Sequence, residues 1–195
     1  MTRIYYDTEF IDTGAHIDLI SIGMVSENGP EYYAVSCEFS MKNLVRNTWL
    51  IDNVWPSLPQ VRGDARMRTM HGHRAKSVNS LVRLHEALFD RYDPAVKTRA
   101  QIAREVHDFV VAVRDPQLWA WYGAYDHVCL AQLFGKMIDL PRGIPMYTCD
   151  LKQEADRLGN PTVPRQEAGA HNALADARHN RVIAQFLDSL EEATR

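Results

Sequence analysis

The chain has 195 residues, 46% hydrophobic and 24% charged, the balance of an ordinary globular protein with room for a substantial core, which sets aside disordered and membrane-spanning classes. Its formal charge of −3, from 22 basic and 25 acidic residues, argues against a partner held through phosphates by bulk charge alone. No apolar run nears bilayer-spanning length and no signal-like core precedes Asp7, while Cys37, Cys129 and Cys149 are odd in number and form no C-x-x-C, so a cytoplasmic protein with reduced, packing thiols is expected.

Ile4 to Phe10, I-Y-Y-D-T-E-F, is rich in aromatic and β-branched residues and reads as a first strand. Asp12-Thr13-Gly14 makes a turn into a second strand, His16 to Val25, and Asn28-Gly29-Pro30 leads to a third, Glu31 to Val35. The short connections imply an antiparallel meander. From about residue 40 to 95 the pattern loosens into an irregular insertion with one or two helices, containing the Trp-rich stretch Trp49 to Trp55, which suits either an interface or a buried core. Between Arg62 and Arg83 lie Arg66, Arg68, Arg74 and Lys76, with His71 and His73, against the single acid Asp64. This is either a local surface for a polyanion or a solvated loop.

Thr98 to Val113 has helical spacing of Ile102, Val106, Phe109, Val110 and Val113, with Thr98 and Gln101 as a capping box. Leu118 to Tyr122, L-W-A-W-Y, reads as a buried strand broken by Gly123-Ala124, and a helix follows with Leu130, Leu133, Phe134 and Met137 along one face. Met146-Tyr147 is strand-like, Thr148 to Leu158 helical, and Ala170 to Glu192 a last helix with Leu174, Val182, Ile183, Phe186, Leu187 and Leu190 inside. The economical reading is one α/β domain over residues 1–195, a three-strand meander followed by alternating strands and helices.

Asp7 and Glu9 stand two apart on the first strand and project from one face. Two carboxylates so placed repel one another and lose hydration, so one must be protonated or both must share a cation, unless the strand end simply delivers them to solvent. Asp126 falls at a strand-to-helix junction, where open α/β sheets build their sites. Asp176 lies in an Ala- and Leu-rich segment with His171 five residues before it. Five residues turn an ideal helix by roughly 140° beyond a full circle, so His171 must approach Asp176 from the side.

The ordered set Asp7, Glu9, Asp126, His171 and Asp176 resembles the DEDDh 3′-to-5′ exonucleases, a family with an RNase H-like fold. The wording Y-Y-D-T-E-F-I-D, I-D-L-I-S-I-G, E-Y-Y-A-V-S, L-W-A-W-Y-G-A-Y-D-H-V and H-N-A-L-A-D-A-R is closer still to the bacterial exoribonuclease AS group, described as polyadenylate-preferring. The likeness runs from the start to about residue 37 and from about residue 99 onward, leaving the insertion outside it.

That resemblance implies a mixed sheet and a metal-dependent exoribonuclease acting on single-stranded RNA 3′ ends, with two Mg²⁺ or Mn²⁺ ions about 4 Å apart. Asp7 would bridge the ions, Glu9 and Asp176 complete the first site, Asp126 support the second, and His171 serve as general base. Thr8, Glu9, Phe10 and His171 are the implied substrate contacts, with Phe10 stacking on the terminal base or serving as a core aromatic. His127 and His179 have no counterpart in the pattern and read as structural. A homodimer without a membrane partner is also implied. Two other readings stay open: a proofreading-type DNA exonuclease on the same acids, and a non-catalytic RNA-binding module that keeps the fold alone.

Overall fold

The computed structural model describes residues 1–63 and 77–194. A six-stranded sheet in the order β4-β3-β2-β1-β5-β6 runs through it. β1 (Thr2–Asp12), β2 (Ile17–Ser26) and β3 (Glu31–Ser36) form the expected antiparallel meander. β4 (Val96–Lys97) lies parallel to β3, β5 (Pro116–Ala120) parallel to β1, and β6 (Cys149–Asp150) parallel to β5. This mixed α/β arrangement agrees with an RNase H-like fold.

Alternation along β1 divides its work between two faces. Ile4 and Tyr6 join a core closed by α4 (Arg99–Val111) through Ile102, Val106 and Val110, and by α5 (Ala124–Gln132) through Cys129 and Leu130. Tyr5, Asp7, Glu9 and Ile11 belong to the other face. The pairing slips by one residue between Glu9 and Phe10, where β2 carries an extra residue. That bulge shifts the phase of β2, so Ile17 and Leu19 share a core with Ile22 and Met24 while Ile20 packs with Ile11 opposite.

Between β3 and β4 the described residues include three helices, α1 (Met41–Leu44), α2 (Thr48–Asn53) and α3 (Val78–Leu88), and a 3₁₀ turn, Trp55–Ser57. Their starts follow capping chemistry: Ser40 and Asn47 side chains accept from Asn43 and Leu50 amides. Leu44, Leu50, Val54, Trp55, Leu88 and Phe89 pack with Val35 and Ile11 as a second core. Trp55 is thus buried, whereas Trp49 is half exposed. Asp64, Arg66, Arg68, His71, His73, Arg74 and Lys76, the centre of the basic stretch, lie outside the described residues.

The last helix, α7 (Ala173–Thr194), crosses the face bearing Asp7. Its inner line is Ala173, Ala177, Asn180, Ile183, Ala184 and Leu187, spaced three or four apart save for the adjacent pair Ile183 and Ala184. Small side chains there permit a close approach to the sheet. Gly23, opposite Asp7 in the β1–β2 register, completes it, since a Cβ on Gly23 would stand 2.3 Å from the carbonyl of Ala173 and the amide nitrogen of Leu174.

Several expectations need correction. Val182 is exposed, not internal, because the alanines take the inner line. α5 ends at Gln132, so Met137 falls in a 3₁₀ turn and is 54% exposed. Met146 and Tyr147 form no strand and face solvent; the pairing passes to Cys149 and Asp150, and Asp150 caps α6 (Leu151–Arg157). Thr98 caps α4, but the Gln101 side chain bonds Glu105 instead of completing the box. All three cysteines are free.

Candidate active site

Strand alternation sends Asp7 and Glu9 toward α7, and the close seat of that helix on Gly23 sets Asp176, in its first turn, above them. Asp126 enters from the first turn of α5 and is buried. Its Oδ1 accepts from both the amide (2.8 Å) and the hydroxyl (2.6 Å) of Thr8, the residue between the two β1 acids. Ligand atoms of Glu9, His171 and Asp176 lie within 4.8 Å of one another. The topology therefore brings all five predicted residues to one locality.

His171 lies before the first residue of α7, with a left-handed backbone, φ 65°. The helix starts three residues later than expected, because Asn172 caps it by accepting from Ala175. The His171 amide donates to Asp176 Oδ2 at 2.9 Å, and Gln166 Nε2 donates to Oδ1 at 2.7 Å. Both oxygens of Asp176 are thereby oriented. Asp7, Gln166, His171, Asp176 and His179 line one cleft of 340 Å³. A larger recess of 620 Å³ around Pro59, Arg62 and Asp93 contains none of the five, so chemistry and not volume marks the site.

The electrostatics are those of crowded, buried carboxyls. Burial, then the charges of Asp126, Glu9 and Asp176, push the Asp7 carboxyl well above the usual range. Burial and the neighbouring Asp176 and Asp126 raise Glu9 to about 8. Burial lifts Asp126 to about 6 against the opposing pull of the Thr8 bonds, and lifts Asp176 against those of Gln166 and His171. Crowded carboxylates of this kind are stabilised in their charged form by a hard divalent cation, and an all-oxygen donor set with one adjacent imidazole fits Mg²⁺ or Mn²⁺.

The remaining substrate candidates fall at the margin. Phe10 packs on the α4–α5 core and stacks on Tyr125, with ring centroids 5.9 Å apart and 12° between planes. Thr8 is buried, its hydroxyl committed to Asp126. Of the histidines read as structural, His127 is partly buried, whereas His179 lines the cleft. Sequence reasoning did not single out Gln166, Ser57 or the contact of Trp49 with His171. Ser57 and Trp49 reach the site from a segment over a hundred residues away, and Gln166, ten residues before Asp176, carries no local signature.

Residues 2–187 match the family described as the 3′-5′ exoribonuclease Rv2179c-like domain. The chain is also similar to the 3′-5′ exoribonuclease Rv2179c of Mycobacterium tuberculosis (strain ATCC 25618 / H37Rv), 35% identical over 195 residues, 99% of this chain and 97% of that protein. The 3′-5′ exoribonuclease MT2234.1 of Mycobacterium tuberculosis (strain CDC 1551 / Oshkosh) matches with the same identity and coverage.

Proposed function

Since the chain belongs to the Rv2179c-like 3′-5′ exoribonuclease family, we propose that it hydrolyses the terminal phosphodiester of single-stranded RNA from the 3′ end, as a DEDDh-type nuclease requiring two divalent cations. The observation that carries this reading is the convergence of Asp7, Glu9, Asp126 and Asp176, four carboxyls drawn from three elements and all raised in pKa.

Asp7, Glu9 and Asp176 would hold the first cation, and Asp7 with Asp126 would hold the second. Bound Mg²⁺ or Mn²⁺ supplies Lewis acidity toward the scissile phosphate and the attacking water. His171, within reach of Glu9 and Asp176, takes the proton from water as its oxygen bonds to phosphorus. The bond from phosphorus to the 3′ oxygen of the preceding nucleotide breaks, that oxygen is protonated from solvent, and a nucleoside 5′-monophosphate leaves. Gln166 keeps Asp176 oriented. Thr8 and Glu9 border the terminal nucleotide, and Phe10, stacked on Tyr125, offers aromatic surface that suits an unpaired base. Preference for polyadenylate, a homodimer and a cytoplasmic setting extend the same reading.

The test is digestion of end-labelled poly(A), mixed RNA and matched single-stranded DNA, with and without Mg²⁺ or Mn²⁺. Stepwise, metal-dependent shortening of RNA is expected, and Asp7→Ala should abolish it while the protein stays folded. Full activity in that variant, or faster loss of DNA than RNA, would overturn the proposal.

A further inference from the structure

The backbone of His171 is held from two sides. Its amide donates to Asp176, and its carbonyl oxygen lies 2.8 Å from the hydroxyl oxygen of Ser57, 114 residues away in sequence. Ser57 ends the 3₁₀ turn Trp55–Ser57, in the insertion between β3 and β4 and within the residues 2–187 that match the family. The same hydroxyl is 2.8 Å from the carbonyl of Val54, so its single proton is shared between two acceptors and ties that turn to the His171 loop. A third contact comes from the same segment: the indole of Trp49 meets the imidazole edge-to-face, with centroids 4.8 Å apart and 76° between planes. His171 needs this support because its φ of 65° is a conformation that L side chains rarely adopt, and such a backbone persists only where its surroundings hold it.

We propose that Ser57 is a positioning residue for His171, so that the insertion forms part of the catalytic apparatus. This rests on the reading of His171 as the group that accepts the proton of water. Loss of the hydroxyl frees the His171 carbonyl, lets the loop relax from its left-handed conformation, and moves the imidazole from Glu9 and Asp176. Because the displaced group is the one that takes the water proton, the loss falls on the chemical step more than on RNA binding.

The experiment is a double-mutant cycle on RNA hydrolysis with Ser57→Ala and His171→Ala. Ser57→Ala should lower kcat about tenfold to a hundredfold with KM held within about twofold, and Ser57→Thr, which keeps the hydroxyl, should restore most of the loss. In the His171→Ala background, Ser57→Ala should cost nothing further. Equal losses in both backgrounds, an unchanged kcat, or an Ala variant that no longer melts cooperatively would each overturn the proposal. An active wild type with an unaffected Ser57→Ala refutes this inference alone, whereas an inactive wild type refutes the underlying nuclease reading and this with it.

Discussion

Gly23→Ala tests whether the seat of α7 on the sheet sets the geometry of the acids. Gly23 has an ordinary negative-φ strand backbone, so in isolation alanine would be tolerated there and would add about 0.5–1 kcal/mol by narrowing the unfolded ensemble. The helix reverses that sign. The new Cβ would lie 2.3 Å from backbone atoms of Ala173 and Leu174, against 3.4–4 Å for ordinary contact, so the start of α7 must retreat by roughly 1 Å. Backbone cannot swing aside as a long side chain can, and overpacking of this kind costs about 1–3 kcal/mol. For a chain of this size each kcal/mol lowers the melting temperature by roughly 2–4 °C. Asp176 and His171 travel with the helix start while Glu9 stays with β1, and a displacement near 1 Å at a reacting centre costs about a hundredfold in rate. Melting by calorimetry, Mn²⁺ titration and single-turnover RNA digestion would measure the three effects together. A variant that melts higher than the wild type and digests RNA at the same rate would refute the argument that this contact sets the site.

The acids predict a pH dependence whose sign follows from their upward shifts. Glu9 titrates near 8 against 4.5 for the free side chain, Asp126 near 6 against 3.8, and Asp7 well above its usual range. Between those limits the folded protein retains protons that the unfolded chain has released. Metal-free stability should therefore fall as pH rises from about 4 toward 8, by about 1.4 kcal/mol per pH unit for each proton retained. Divalent metal should raise the melting temperature more at pH 8 than at pH 5, so a melting temperature in chelator that climbs over this range would contradict the assignment. Thr8→Val removes the hydroxyl from Asp126 but leaves the amide bond, and should cost about 1–3 kcal/mol of stability while raising the pH needed for half-maximal Mn²⁺ binding. Unaltered binding in that variant would show the hydroxyl to be idle.

The acidic set was legible as a whole through the family pattern it matches in order and spacing, since singly each acid could serve as a solvated or ion-paired carboxylate. Asp7 and Glu9 follow strand alternation, and Asp126 opens the helix after a Gly break. The separation of His171 from Asp176 also pointed to a sidelong approach, and the cause is that His171 precedes the helix. What escaped notice depends on partners remote in sequence. Ser57 and Trp49 carry no motif, and their significance comes from a loop over a hundred residues away. Val182 misled because hydropathy favours valine over alanine, whereas helix-to-sheet proximity at Gly23 selects alanines. Met146 and Tyr147 misled because strand propensity without a neighbouring strand to pair with does not make a strand.

The pair of hydrogen bonds from Thr8 to Asp126 has a consequence for folding as well as for chemistry. β5 pairs with β1 only as far as Tyr5, so beyond that point the rim of β1 has lost its neighbouring strand, and the Asp126 carboxylate takes the Thr8 amide there. An open rim invites another chain to add itself as a strand. By plugging it, Asp126 blocks strand addition at that rim while standing ready for a cation, so a substitution that removes the acceptor oxygen also uncaps the central strand. Aggregation should accompany its loss, and Asn, which keeps an acceptor oxygen, is the substitution that would separate the two duties.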